Sequence, residues 1–379
     1  MKKHRFNSIS MFTFTLVLTL LATACNTEMA APVKAPFTGL DTICTNDWWN
    51  RADNPIHTVK VDRDQVVAFG LYTVSNDILK LSAQLYPLYP DESRVVRLEI
   101  NKDGKWKEIA SEKVNDLGWS ALFRIGNWDS TKDTPYRLRH GKEATYEGLI
   151  RHDPVEKDEI VVAAFSCSSN KDRGDRDSYV RNVDYLDPDL VFYAGDQSYD
   201  HTEHTASWLL FGSQFGETFR NRPCISIPDD HDIGQGNLWG ESGKISLTRG
   251  SDDGGYKYHH EYVKMVERCQ TANLPDPFDP TPIEQGIGVY YTNMVVGEVD
   301  FAIIEDRKFK SGPNGKIPQQ GPRPDHIYDP NYDPASIDVP GLVLLGDRQL
   351  YFLNQWADWN EGVKMKAVLS QTGFCGAAH

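Results

Sequence analysis

Residues 190–199, with the sequence LVFYAGDQSY, change abruptly from an apolar run to polar side chains at Gly195. The apolar run is short and does not alternate with polar residues, which is typical of a strand buried on both faces. Asp196 and Tyr199 follow it, so the strand would present a carboxylate and a phenol at its carboxyl end. Ligands of open α/β sheets bind at that end, where the loops converge.

Four other apolar runs end in the same way, at clusters of polar or metal-binding residues. They are residues 161–165 before SCSS at 166–169, 224–227 before DDHD at 229–232, 301–304 before EDR at 305–307, and 367–369 before SQT at 370–372. We expect all five runs to be buried strands, with those before Asp196 and Asp230 in the same sheet. Oxygen ligands and a thiol that converge on one rim indicate a metal centre.

Each motif also has a purely structural interpretation. Residues 229–232 place three carboxylates around a histidine, and these repel one another unless cations neutralise them or water separates them. The segment is therefore either part of a metal site or a solvated acidic turn. Residues 195–196 are equally compatible with a turn or a helix cap, and residues 305–307 with a local ion pair.

The composition excludes some classes of function. The 379-residue chain has a formal net charge of −14 and a proportion of charged residues, 25%, that is ordinary for a soluble globular protein. So acidic a surface disfavours electrostatic binding of nucleic acid, and no nucleic-acid partner is expected. An anionic substrate would need local positive charge, for which bound metal ions are the simplest source.

Residues 1–25 resemble a bacterial lipoprotein signal. A basic start is followed by an apolar stretch at residues 12–21 and by small residues before Cys25. We predict that Cys25 is lipidated, that residues 26–40 form a tether, and that the exported protein is membrane-anchored on the periplasmic or cell-surface side. A plain secretory signal is the alternative. No spacing among the other cysteines dictates a disulfide pairing, and Cys224 is predicted to be a buried apolar residue.

The remaining chain divides into two predicted domains. Residues 41–154 contain short apolar or alternating segments between turn residues, which predicts an all-β sandwich with strands at 66–71, 79–85, 95–100 and 119–125. From residue 155 to 379 strands alternate with predicted helices, which indicates an α/β domain. Those helices cover residues 176–186, 203–220, 256–273 and 347–360, the last with Leu350, Leu353 and Trp356 on its apolar face. Residues 311–340 are predicted to form a long surface loop.

Five motifs of the second domain occur in a recognisable order. They are SCS at 166–168, GDQSY at 195–199, DDHD at 229–232, EDR at 305–307 and GDRQL at 346–350. In this order they resemble the alkaline phosphatase D (PhoD-like) family, a branch of the calcineurin-like metallophosphatases. The resemblance implies an α/β domain with α-β-β-α layers, and the preceding sandwich also fits the family.

The resemblance also implies a role for each matched residue. Cys167 would be a thiolate ligand, Asp196 would bridge two metal ions, and Tyr199 would bind a ferric ion as phenolate. Asp230 would be a further metal ligand, and His231 would donate a proton to the leaving oxygen. The implied cofactors are Fe³⁺ and Ca²⁺, and the implied substrate is a phosphate monoester or diester. Hard oxygen ligands suit Ca²⁺, and a thiolate with a phenolate suits Fe³⁺, so the residue types agree.

The sequence departs from the family at its end. The family completes its site with later acidic residues and a Gly-Asp-x-His motif, and these do not occur before residue 379. We therefore expect either a chain truncated at its C-terminus or an incomplete site. The alternative function is that of an exported surface binding module with a non-catalytic metallophosphatase-like domain. The natural substrate and the oligomeric state are left open by the sequence.

The lipid anchor leads to a first prediction. Cys25→Ala should release the protein from membranes or leave its signal uncleaved, because the acylated thiol would be lost. Membrane fractionation and gel migration measure this, and Cys44→Ala is the matched control. A Cys25→Ala variant that fractionates and migrates like the wild type would exclude lipidation at this residue.

Overall fold

The structure is a computed structural model that describes residues 54–168, 175–201, 203–247, 252–324 and 326–372. The predicted signal and tether, including Cys25, lie outside these residues. Within the described ranges the chain forms thirteen strands, four helices and several short 3-10 turns. The fold is rich in β structure, and the described strands form four sheets of three or four strands.

Seven strands in the first part of the chain form two antiparallel sheets, in the orders β1-β2-β5 and β4-β3-β6-β7. These strands are β1 (Val67–Ser75), β2 (Ile78–Leu85), β3 (Val95–Lys102), β4 (Lys105–Lys113), β5 (Ser120–Gly126), β6 (Thr134–His140) and β7 (Ala144–Ile150). The four strands predicted here are confirmed as β1, β2, β3 and β5. Strands β4, β6 and β7 were not predicted; charged residues hide the alternation in β4 and β6, and β7 contains Gly148.

Two tight hairpins fix the register of these sheets. Asn76 and Asp77, between β1 and β2, both have positive φ angles, of 50° and 58°. Asp103 and Gly104, between β3 and β4, have φ angles of 52° and 77°. Two consecutive residues with positive φ form a type I′ turn, whose twist matches that of the flanking strands. Asn, Asp and Gly tolerate this conformation better than other residues do.

Six strands in the second part of the chain form a parallel sheet and a mixed sheet. The parallel sheet, ordered β10-β9-β8, contains β8 (Val162–Phe165), β9 (Leu190–Tyr193) and β10 (Cys224–Ser226). The mixed sheet, ordered β11-β12-β13, contains β11 (Thr292–Val296), β12 (Val299–Ile303) and β13 (Met365–Leu369). Strand β12 is antiparallel to β11 and parallel to β13. All five apolar runs are thus strands, as predicted.

Burial of the five runs follows the prediction only in part. Strands β9 and β10 are buried throughout. Strands β8 and β13 are edge strands that are largely accessible, with Met365 58% exposed and Val368 41% exposed. The prediction of strands buried on both faces is therefore wrong for β8 and β13, whose side chains are only partly covered by neighbouring elements.

The four predicted helices are present. They are α1 (Asp177–Leu186), α2 (His204–Phe219), α3 (His260–Thr271) and α4 (Gly346–Ala357). Helix α3 begins later than predicted because Tyr256 forms a β-bridge with Ile245 and the side chain of His259 caps the helix. Leu350 was wrongly assigned to the buried face of α4, since it is half exposed while Phe352 is buried. In the described part of the chain, no helix is long and apolar enough to cross a membrane.

Alternate side chains of β9 enter different hydrophobic clusters. Val191 and Tyr193 belong to a cluster shared with the two antiparallel sheets and with α2 and α3. Leu190 and Phe192 belong to a second cluster, shared with Phe301 and other residues of the mixed sheet. A third cluster joins the mixed sheet to α4 through residues such as Phe352. The parallel sheet is thus held between apolar side chains on both of its faces, which leaves its carboxyl edge for polar residues.

The Pro- and Gly-rich segment at residues 311–340 has little regular structure. Apart from one 3-10 turn at Pro334–Ile337 and an isolated β-bridge between Arg323 and His326, its described residues are irregular. This agrees with the predicted long loop.

Candidate metal centre

The polar residues that follow β9 and β10 leave the parallel sheet side by side. The two strands pair in parallel with Val191 opposite Cys224 and Tyr193 opposite Ser226. Because the strands end at the same level, Asp196 and residues 229–232 meet at one edge. The expectation that Asp196 and Asp230 follow strands of the same sheet is confirmed.

Asp232 joins the two loops through its carboxylate. The backbone N–H groups of Asp196 and Asp229 donate to its Oδ2 at 2.8 and 2.9 Å, and the N–H of Ser198 donates to its Oδ1 at 3.0 Å. The side chain is almost fully buried. A carboxylate that accepts several backbone hydrogen bonds orders the chain around it. Asp232, for which the sequence indicated no separate role, therefore fixes the positions of Asp196 and Asp230.

The backbone around the site adopts conformations that are rare for L-amino acids. Gly195 has a φ of 99°, and a Cβ at this position would come within 2.4 Å of the Cβ of Asp229. Asp196 and Cys167 lie in the left-handed region, with φ angles of 57° and 55°. Such residues cost about 1–3 kcal/mol each and cluster at functional sites. Glycine at 195 allows the close approach that brings Asp196 to the second loop.

Three predicted site residues form one group of possible metal ligands. Asp196, Asp230 and His231 each offer a ligand atom, and these atoms all lie within 4.8 Å of one another. Both aspartates are buried, whereas His231 is partly accessible. The backbone N–H of His231 also donates to Oδ1 of Asp196 at 3.3 Å. The sequence assigned His231 to proton donation, and the geometry makes its imidazole a candidate ligand as well.

The structure also brings Tyr199 and Cys167 to Asp196. The hydroxyl of Tyr199 donates to Oδ2 of Asp196 at 2.7 Å, and Sγ of Cys167 lies 3.7 Å from the same oxygen. Burial, followed by the bond to Asp196, raises the pKa of Tyr199 far above its ordinary value. Cys167 is exposed and is a free thiol, whereas Cys224 is a buried free thiol, as predicted. All five predicted ligand and catalytic residues thus lie around one carboxylate or directly beside it.

Two further residues of the site were not assigned a role from the sequence. Nε2 of His201 lies 2.7 Å from Nδ1 of His231. Arg307 pairs with the second loop, its Nε 2.7 Å from Oδ1 of Asp229 and its Nη2 3.7 Å from Oδ1 of Asp230. Arg307 thus forms its ion pairs with residues that follow another strand, β10, and not the local ion pair considered within residues 305–307. The sequence position of His201, two residues after Tyr199 in the same loop, could have indicated that it lies at the site.

Three carboxyl groups of the site, those of Asp196, Asp229 and Asp232, have raised pKa values. Burial, reinforced by the neighbouring aspartates, raises the pKa of Asp196 to about 8. Burial likewise raises the pKa of Asp229 to about 6, against the opposing effect of Arg307, and that of Asp232 to about 7. Both carboxylate oxygens of the neighbouring Asp306 are buried and have no hydrogen-bond partner among the described residues. This excess of buried acids fits a bound cation, which would neutralise the carboxylates.

A comparison with solved structures finds a likeness to one titled "Structure of PhoD". The two superpose with a TM-score of 0.57 at 14% sequence identity, over 78% of this chain and 60% of that chain. The chain thus spans about three fifths of the length of that structure. The likeness shows a PhoD-like fold. No family model and no curated protein matches the sequence.

The perturbed carboxyl groups predict how stability depends on pH and metal. In the folded, metal-free protein the pKa values of Asp196, Asp229 and Asp232 lie above the ordinary value of aspartate. The folded protein therefore keeps protons on these groups at pH values at which the unfolded chain releases them. The contribution of these three groups to the free energy of unfolding should therefore be largest below about pH 4 and fall as the pH rises through the range of about 6 to 8. A bound cation replaces these protons, so metal should stabilise most above pH 8, by about 2.7 kcal/mol at one hundred times its Kd.

Thermal unfolding between pH 4.5 and 9, with and without a chelator, measures both effects. Asp196→Asn should lose most of the stabilisation by metal. Asp276→Asn is the matched control, because Asp276 pairs with Arg124 and Lys80 outside the site. Identical melting curves at pH 8.5 with and without the chelator would contradict a metal site here.

Proposed function

We propose that this protein hydrolyses phosphate esters with the help of bound metal ions, as a PhoD-like phosphomonoesterase or phosphodiesterase. The observation that carries the proposal is the group formed by Asp196, Asp230 and His231 at the carboxyl edge of the parallel sheet. The PhoD-like fold supports the proposal. Neither observation alone would be sufficient, because acidic groups without metal and folds without activity are both common.

The domain organisation in this proposal is the one expected from the sequence. Residues 41–154 are the sandwich domain and residues 155–379 the metallophosphatase domain, with α-β-β-α layers. The order of the hydrophobic clusters supports the layers, since α2 packs toward one face of the parallel sheet and the mixed sheet covers the other. Helix α4 then packs on the far side of the mixed sheet.

The cations in this proposal are Fe³⁺ and Ca²⁺. Cys167, Tyr199 and Asp196 would hold the iron, because thiolate and phenolate suit Fe³⁺. Asp196 would also contact Ca²⁺ together with Asp230, since Ca²⁺ prefers carboxylate oxygens. When bound, such ions polarise the phosphoryl group and neutralise its charge.

The side chains supply the remaining chemistry. His231, partly accessible beside the buried carboxylates, would donate a proton to the departing oxygen. Arg307 already lies between Asp229 and Asp230. Its guanidinium would compensate the negative charge of a phosphate group beside these acids, since a planar guanidinium matches the geometry of phosphate oxygens. Both residues would thus favour the negatively charged transition state over free substrate.

Substitutions of Asp196 and His231 test the function. Asp196→Asn and His231→Ala should each lower kcat at least about a hundredfold, the first because a metal ligand is lost and the second because general acid catalysis is lost. Phosphate release from aryl monoesters and diesters, by purified full-length protein loaded with metal, is the measurement. Comparing the two substrates also decides between monoesterase and diesterase activity. Asp276→Asn and His152→Ala, at ion pairs remote from the site, are the matched controls.

The result also decides between the two candidate functions. A catalytic site predicts that both variants fold like the wild type and lose turnover. The alternative, a surface binding module with a non-catalytic domain, predicts no hydrolysis by the metal-loaded wild type. Activity within a few-fold of the wild type for either variant would remove that residue from the mechanism.

A spectroscopic prediction tests the metal. A phenolate bound to Fe³⁺ absorbs visible light by charge transfer, so the metal-loaded protein should be coloured. Tyr199→Phe should bleach or shift this band, and Cys167→Ser should weaken retention of iron. Tyr179→Phe, at an exposed tyrosine, is the control and should leave the spectrum unchanged. A colourless, active preparation with only divalent ions would overturn the assignment of Fe³⁺.

The membrane anchor remains part of the proposal. The sequence pattern before Cys25 supports an exported lipoprotein, held at the periplasmic or cell-surface side of a membrane. In that position the enzyme would act on phosphate esters outside the cytoplasm.

A further inference from the structure

We propose that Lys310 binds a second negatively charged group of the substrate, so that the preferred phosphate ester carries a carboxylate or another phosphate on its leaving group. The inference rests on the phosphate-ester hydrolysis proposed above and specifies the substrate class of the same site. Lys310 lies outside the five sequence motifs, three residues after Arg307.

The ammonium group of Lys310 is held without an acidic partner. Its Nζ lies 4.7 Å from the centre of the Trp239 ring, and this indole is only 7% exposed. Lys310 is partly accessible, and no hydrogen bond or ion pair joins its ammonium to another side chain among the described residues. An aromatic face attracts the cation but supplies no lone pairs for its three N–H donors. Lys310 therefore keeps the capacity to bind an anion.

The nearest acidic residue in the backbone network pairs with other lysines. The N–H of Glu241 donates to the carbonyl oxygen of Lys310 at 3.2 Å, so the two residues are neighbours. The carboxylate of Glu241 nevertheless pairs with Lys244 and Lys316. Although the chain has a formal net charge of −14, this neighbour thus leaves the charge of Lys310 unpaired.

Trp239 belongs to a loop that contacts the metal centre. The N–H of Asn237 in this loop donates to Oδ2 of Asp230. The N–H of Gly240 donates to the carbonyl oxygen of Arg307 at 2.9 Å. The indole under the ammonium is thus tied both to a candidate metal ligand and to the segment that carries Arg307.

The charge of Lys310 also interacts with the charges of the site. Burial, followed by the positive charge of Arg307, lowers the pKa of Lys310. Three carboxylates oppose this effect, those of Asp306, Asp229 and Asp230. The ammonium therefore lies within electrostatic reach of the acidic loop. Because its surroundings disfavour the positive charge on balance, an anion beside it is favoured.

Arg307 and Lys310 suit different parts of a substrate. Arg307 pairs directly with Asp229 and Asp230, so it would lie beside the phosphate that is hydrolysed. Lys310 forms no ion pair with either aspartate, and its ammonium is held over Trp239 instead. A negatively charged group on the leaving group would therefore meet Lys310 while the reacting phosphate lies near Asp230. The two cations together favour substrates with two anionic groups.

Phosphonates that resist hydrolysis test the binding of the second anion. Phosphonopropionate and propylphosphonate are similar in length and differ in one carboxylate. Calorimetric titration of the metal-loaded, full-length protein should give a Kd about tenfold lower for phosphonopropionate, the low end for a hydrogen bond to a charged group. Lys310→Met keeps the bulk over Trp239 but removes the charge, so it should abolish most of this preference. Lys310→Arg should retain it.

Lys366 is the matched control, because its Nζ also lies over a tryptophan ring, 4.9 Å from the centre of Trp356. Lys366→Met should keep the wild-type preference. Ethylene bisphosphonate in the same titrations identifies the preferred second anion, phosphate or carboxylate. Equal binding of all three phosphonates by the wild type would overturn the proposal even if the variants failed to fold. A preference that survives Lys310→Met would overturn it as well, since another group would then bind the second anion.

Hydrolysis supplies a readout that links Lys310 to the substrate. The wild type should prefer meta-carboxyphenyl phosphate to meta-carbamoylphenyl phosphate by about tenfold in kcat/KM, mainly through KM, because the second anion is bound equally before and in the transition state. Lys310→Met should remove this ratio. Equal losses on both esters would place Lys310 at the reacting phosphate and contradict the proposal.

The two kinds of measurement separate the role of Lys310 from the proposed function. A wild type that binds phosphonopropionate selectively but hydrolyses neither ester contradicts the proposed function alone. An active wild type that shows no preference between the two esters contradicts the role of Lys310 alone.

Discussion

The carboxylate of Asp232 is the link on which the arrangement of the site depends. It accepts backbone hydrogen bonds from Asp196 and Ser198 in one loop and from Asp229 in the other. Each buried N–H left without a partner would cost about 1–3 kcal/mol, so the two loops cannot separate without a large loss. A single side chain thus converts the parallel register of two short strands into a fixed spacing between Asp196 and Asp230.

That spacing is maintained against electrostatic repulsion. Asp196, Asp229 and Asp230 are buried close together, and the raised pKa of Asp196 reflects both the burial and the neighbouring carboxylates. Arg307, which follows strand β12 of the neighbouring mixed sheet, offsets part of the negative charge of these aspartates. Bound protons or cations neutralise the remaining negative charge. The folded protein therefore favours the binding of positive charge between these carboxylates. Burial of the hydrophobic clusters on both faces of the parallel sheet offsets the free-energy cost of holding these aspartates close together.

Much of this framework could be predicted from the sequence. The apolar runs before Asp196 and Asp230 were sufficient to place two strands side by side, because buried parallel strands have an unmistakable continuous pattern. The charged strand β4 escaped notice, since most of its side chains face solvent. Strand β8 was found, yet its burial was overestimated, because a sequence pattern does not reveal which elements cover the faces of a strand.

The site was predicted less completely than the fold. Residues that carry ligand atoms are visible as motifs, and these motifs converge. The contacts of His201 with His231 and of Arg307 with Asp229 join segments about 30 and 78 residues apart, and only the folded chain brings them together. The three hydrogen bonds that Asp232 accepts could not be predicted from the sequence either. Residues 229–232 contain three aspartates, and the sequence does not distinguish their roles.

Helix α2 lies so close to β1 that a Cβ on Gly212 would come within 2.0 Å of the ring of Phe69. The same helix packs against Tyr193 of β9 through Phe211 and Phe215. A side chain at position 212 would therefore push either on the antiparallel sheets or on the strand that carries Asp196. Among natural variants of this chain, a larger residue at position 212 should occur only together with a smaller one at position 69, so these two positions are expected to covary although neither touches the site.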